Sequence, residues 1–280
     1  SKSKSAAPSI EASLEHVANV EARDVVSLID GAELIDNVVQ VQVSRSRSSS
    51  IQVLLAHAAN VEGHPSSVSF TGISNLLNEA VDIHNLTNSS TEVSLAHVAN
   101  VLGNPQTVLL EESSLIEDVV DIANHVASSS VDVQAHVVCN VNAETLSVSS
   151  SALIRNVVDV DTGDLTGGSS IHAAVEHIAN FAGKNLLLLP HFDTDITGLI
   201  LEVVDVGEVE HSAIRVSVVY ACNVKTETMH AFGNPDSSSS LLENAVALSS
   251  LTGSSVVEAE VQHTANFKGV QCNVTQFVGS

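Results

Sequence analysis

Five histidines, His16, His57, His97, His177 and His263, each stand three residues before an Asn in the frame His-x-Ala-Asn-Val/Phe. A second motif repeats Ile/Leu-x-Asx/Glu-x-Val and carries the acids Glu79, Asp118 and Glu202. Imidazole nitrogens and carboxylate oxygens are both accepted by Zn²⁺, so a column of these side chains could form a metal-binding track. The competing chemistry is simpler: a histidine on an apolar face hydrogen-bonds a polar neighbour, as buried polar groups must. We adopt the second reading, which pairs His57 with Glu79, His97 with Asp118 and His177 with Glu202 as structural His/acid pairs. Such pairs predict an assembly that is firmer at mildly acidic than at alkaline pH. No metal ligand is assigned.

The remaining chemical candidates are weak. Cys139 and Cys222 occupy the slot filled elsewhere by Ala18, Ala59, Ala99, Ala179 and Ala265, which reads as a small buried hydrophobe. Two repeats apart, at about 10 Å in a stack of coils, they are too distant to bridge. Cys272 lies outside the motif, and its redox state and any pairing between subunits are left open. Asp159 to Asp164 looks like the opening of a calcium loop but lacks the remaining ligand spacing, so calcium is expected only as an opportunistic ligand. Asn85, Asn88 and Asn273 begin glycosylation sequons, which matter only in a glycosylating secretory route. There is no Gly-x-Ser-x-Gly elbow, no Gly-rich phosphate loop and no Cys/His motif for nucleophilic catalysis. No catalytic residue and no cofactor are assigned, and the chain is not expected to be an enzyme.

The elements that position these residues are repeats. The motif Asn recurs at 19, 60, 100, 140, 180, 223 and 266, with Cys139 and Cys222 preceding it in the two copies that replace His by Val137 and Tyr220. About seven units of some 40 residues follow. Around each His the apolar positions alternate strictly, as in Leu95, His97, Ala99 and Val101, which is the period of a β-strand half in a core. The Asn therefore points to the opposite face. The second motif, exemplified by Ile116, Asp118, Val120 and Ile122, has the same frame, with Asx or Glu where His stands. That likeness suggests a coil of roughly 20 residues, with the two halves alternating along the stack and an acid lying between successive histidines. One coil per repeat would instead put successive His about 4.8 Å apart. Only two strong strands per repeat are evident, with Val108-Leu109-Leu110 a weak third. The fold class is all-β, read as a β-solenoid, with a seven-bladed β-propeller and an antiparallel β-sandwich as alternatives. Residues 1–13 read as an N-terminal polar arm and 14–280 as a single β-repeat domain, in whose last repeat the second half is absent or replaced by Gly269 to Ser280.

Composition narrows the function. The 280 residues are 44% hydrophobic but only 2% aromatic, without Trp, which suits thin layers of Val, Leu, Ile and Ala. A net charge of −23 opposes binding to nucleic acid or anionic lipid. No apolar run is long enough for a membrane helix, and one Tyr with six Phe cannot build the aromatic girdles of a membrane barrel, so no membrane insertion is expected. The start at Ser1 without Met is read as a processed form. The expected function is a structural, self-assembling subunit of an extracellular filament or surface layer, with itself as partner. An adhesin or glycan-binding module comes next, and a polysaccharide-directed enzyme third.

Overall fold

A computed structural model shows a β-solenoid in which, among the described residues, each repeat but the last contributes a strand to each of three parallel sheets in turn and the last contributes to two. It describes residues 9–22, 26–28, 35–42, 49–63, 67–71, 76–84, 89–102, 107–111, 114–123, 129–149, 152–161, 170–189, 196–197, 199–206, 209–210, 213–233, 238–239, 242–248, 251–252, 255–269 and 271–276, not all of them with side chains. Among these residues there is no helix, and hence none long and apolar enough to cross a membrane.

The first sheet is built from the His/Asn strands, Ser9–Ala22, Ser49–Gly63, Ser89–Leu102, Ser130–Asn142, Ser170–Ala182, Ala213–Lys225 and Val256–Lys268. The second holds shorter strands, Val26–Leu28, Ser67–Thr71, Thr107–Glu111, Thr145–Ser149, Asn185–Leu189, Thr228–Gly233 and Gln271–Gln276. The third holds the second motif, in Ile35–Gln42, Leu77–His84, Ser114–Ala123, Ala152–Asp161, Ile200–Val206 and Leu242–Leu248. Every pairing within these sheets is parallel and joins equivalent residues of consecutive repeats, which rules out both a propeller and an antiparallel sandwich. Two further pairs, Ile196–Thr197 with Ser238–Ser239 and Val209–Glu210 with Leu251–Thr252, fall in the two repeats whose Asn spacing lengthens to 43 residues.

Two expectations are corrected. The coil is the whole repeat of about 40 residues and not a half-repeat of about 20, because the two motifs stack only with their own kind, in separate sheets. The first strand begins at Ser9, five residues before the Leu14 at which the alternation starts. A chain edge can continue a parallel ladder through backbone groups alone, and Glu11 and Ser13 stand on its outer face.

The interior follows from the alternation. In Ser130–Asn142 the burial runs with period two, Val131, Val133, Ala135, Val137, Cys139 and Val141 all being buried. The short second sheet adds Val108, Leu110, Leu146, Val148, Leu186 and Leu188. Where the chain enters the third sheet the alternation breaks: Leu76 and Leu77, Leu115 and Ile116, Leu153 and Ile154, and Leu199 and Ile200 are consecutive buried pairs. A corner presents both neighbours inward, and its backbone is satisfied coil to coil, as in Leu76 N–H to Leu115 C=O at 3.0 Å. The opposite corner, between the first and second sheets, is ordered in the same way by Gly183 N–H to Lys225 C=O at 3.0 Å.

Candidate functional site: two ladders on one strand

Period two gives each strand of the first sheet two faces, and parallel in-register stacking turns each position into a column. The inner column of rings is His16, His57, His97, Val137, His177, Tyr220 and His263. His16 and His57 stack at 5.2 Å between ring centroids, and His57 and His97 at 5.3 Å with planes 5° apart. Val137 interrupts the column. Beyond it, Tyr220 lies 5.7 Å from His177 and 5.1 Å from His263, tilted against both. His57, His97, His177 and Tyr220 are buried. The flat overlap is what a coil spacing near 4.8 Å imposes on planar side chains in identical rotamers.

The outer column is an amide ladder. Asn60 Nδ2 donates to Asn19 Oδ1 at 2.8 Å, and the same bond repeats through Asn100, Asn140, Asn180, Asn223 and Asn266 at 2.7 to 2.8 Å. Each interior amide thus donates once and accepts once along the column. The sequence already shows the Asn at a regular spacing on the face opposite the His. That these amides bond one another follows only from one-coil-per-repeat stacking, since an amide cannot reach across two coils.

The residues singled out from sequence sort as follows. The histidines form one column with one another, so no acid lies between them in the stack. Glu79, Asp118 and Glu202 form a column of their own in the third sheet with Asn37, Asn156 and Asn244. The side chains of these three acids lie outside the described residues, so the pairs themselves rest on the sequence argument. Cys139 and Cys222 are free and buried, separated by Ala179 in their column, as their spacing requires. Burial pushes both thiols up, Cys222 to about 12. The side chain of Cys272 and the loop residues Asn85, Asn88 and 162–164 lie outside the described residues, as does the side chain of Asn273. Among the described residues, no three His, Cys, Asp or Glu side chains gather as metal ligands would.

The outer face beside the amides is mixed and charged. His136 Nδ1 lies 3.0 Å from Glu176, His172 lies 3.5 Å from Asp132, and Arg215 donates to Glu258 at 2.6 Å. At the corner Lys184 donates to Glu144 at 2.6 Å, a bond that holds its ammonium above the usual lysine range. All of these pairs link consecutive coils at exposed positions, where ion pairs contribute little to stability. A shallow depression of about 430 Å³ crosses this face between Ser94, Gln134, His136, Glu176 and Ser217. Its mixed lining, which also includes Leu95, Ala135 and Val175, and its open form fit a surface contact better than an enclosed reaction site.

The class that this geometry defines is a three-sheet parallel β-solenoid with a ring column inside and an amide ladder outside. Comparison with protein-family models, with curated proteins and with solved structures gave no match.

Proposed function

We propose that the protein is a structural subunit that assembles with copies of itself into an extracellular filament or surface layer, without catalytic activity. One observation carries this reading: equivalent core slots are sealed inside the array and open at its ends. Phe267 is 41% exposed, whereas Phe181 in the same column is 1% exposed; Val261 is 38% exposed against 1% for Val218; and Ile10 is 56% exposed against 3% for Ile51. These side chains have the sequence of core residues, and the coil that would cover them is absent from the described residues. The edge strands Ser9–Ala22 and Val256–Lys268 also offer a parallel ladder to another chain, the arrangement by which exposed edges recruit strands. A like subunit supplies both the missing coil and the hydrogen bonds.

The test is a concentration series by sedimentation and negative-stain microscopy, across pH, salt and calcium. Ordered oligomers or filaments are expected, and dispersed monomers under every condition would remove the proposal. Protease shaving of intact source cells tests the extracellular setting, with loss of the chain expected. A second reading, an adhesin or glycan-binding module, is favoured by the depression at Gln134 and Glu176. Saturable binding of a glycan by isolated monomer, lost in Gln134→Ala, would promote it over assembly.

A further inference from the structure

We propose that the copies join head to tail in one register, with Val256–Lys268 of one subunit paired in parallel with Ser9–Ala22 of the next; this rests on the assembly reading above. The amide ladder has a direction. Asn266 donates to Asn223 and leaves its own Oδ1 at one end, while Asn19 accepts from Asn60 and leaves its Nδ2 at the other. A head-to-tail junction brings that Nδ2 to that Oδ1 and continues the column. A two-fold junction places two like ends together, donors with donors or acceptors with acceptors, and cannot continue it.

The same register covers the open slots of the first sheet; in the third sheet, to which the last repeat adds no strand among the described residues, Leu242–Leu248 stays one coil away from Ile35–Gln42 of the next subunit. Val257 meets Ile10, Val261 meets Leu14 and Phe267 meets Val20, in the slots that interior coils fill with paired apolar side chains. His263 meets His16 and extends the ring column beyond Tyr220. At the strand ends Lys268 meets Glu21, a complementary pair. The unfavourable pair in this register is Glu258 over Glu11, and Glu258 already accepts two bonds from Arg215. Slipping the register by one residue would face every core side chain outward, and slipping it by two would take the two terminal amides out of reach.

The experiment is cross-linking of the full chain at near-neutral pH and raised ionic strength, where the thiols react and the excess acid across the junction is screened, in a Cys272→Ser background. Val17 and Thr264 are exposed members of one outward column and become direct neighbours at the junction. The Val17→Cys, Thr264→Cys double variant treated with a short bismaleimide is expected to give a ladder of covalent multimers. Val17→Cys with Glu260→Cys, about 13 Å out of register along the strand, is expected to give none. Lys268→Glu, which alters no core residue, should raise the concentration for half-assembly by about two- to fivefold. Multimers without preference between the two double variants, covalent dimers from Val17→Cys alone, or filaments that do not cross-link would each overturn the junction while leaving self-assembly intact. Unassembled wild-type chain would overturn both.

Discussion

Asn100 is the most direct place to perturb the amide ladder, because it donates to Asn60 at 2.7 Å and accepts from Asn140 at 2.8 Å. Asn19, at the end, takes part in one such bond. At about 0.5 to 1.5 kcal/mol net per hydrogen bond, Asn100→Ala should cost about 1 to 3 kcal/mol, and Asn19→Ala about half as much or less because its site is exposed. Alanine also changes strand propensity, so Asn100→Asp is the cleaner probe. A carboxylate can accept from Asn140 but cannot donate to Asn60, and its oxygen then faces another oxygen. Protonation restores the donor, so the folded state favours the protonated acid and raises its pKa above the unfolded value. The stability lost in this variant should therefore return as pH falls through that raised value, relative to wild type at each pH. Denaturant unfolding of wild type and the three variants measures the costs. Native-state hydrogen exchange locates them, with faster exchange expected in strands 49–63, 89–102 and 130–142 and unchanged exchange in 213–225. Equal losses for Asn100→Ala and Asn19→Ala, or an Asn100→Asp deficit that deepens on acidification, would refute the ladder as a source of stability.

Three further outcomes follow from the interior. Val137 fills the His slot natively, so a His57→Val, His97→Val, His177→Val triple variant should keep the fold, each change costing below about 1.5 kcal/mol. If the His/acid pairs operate, this variant also flattens the firmer assembly at mildly acidic pH, and an unchanged profile ends that pairing model. The buried thiols have folded values above their ordinary 9.0, so their contribution is intact below pH 9.0 and is lost as pH rises from there towards about 12. Cys139→Ala with Cys222→Ala, both to the residue native to that column, should flatten the alkaline decline in unfolding midpoint; a preserved slope contradicts the assignment. A β-carbon on Gly183 would collide with the carbonyl oxygen of Ala143 in the adjacent coil, so Gly183→Ala should cost about 3 kcal/mol by urea unfolding. A loss below about 0.5 kcal/mol would show that the corner yields easily.

The sequence alone determined the repeat, the strands of the first and third sheets, and the faces on which His and Asn lie. Strict alternation through His97, Ala99 and Val101 admits only an extended chain with one buried side. It also placed Cys139 and Cys222 in an alanine slot too far apart to bridge. The second sheet was nearly invisible because a five-residue strand such as Thr107–Glu111 shows just two inward residues, Val108 and Leu110, too few to display a period. At the corners, consecutive buried pairs such as Leu115 and Ile116 broke the alternation. Whether the His strands stack on one another or alternate with the acid strands was undecidable from frames that look alike. Tertiary structure decided it, because a third strand and its corner carry the chain once around before the next His strand begins, and each strand then meets its own equivalent. Only that register brings asparagines 40 residues apart within 2.7 to 2.8 Å, and only the finite stack leaves Ile10 and Phe267 uncovered where their equivalents are sealed.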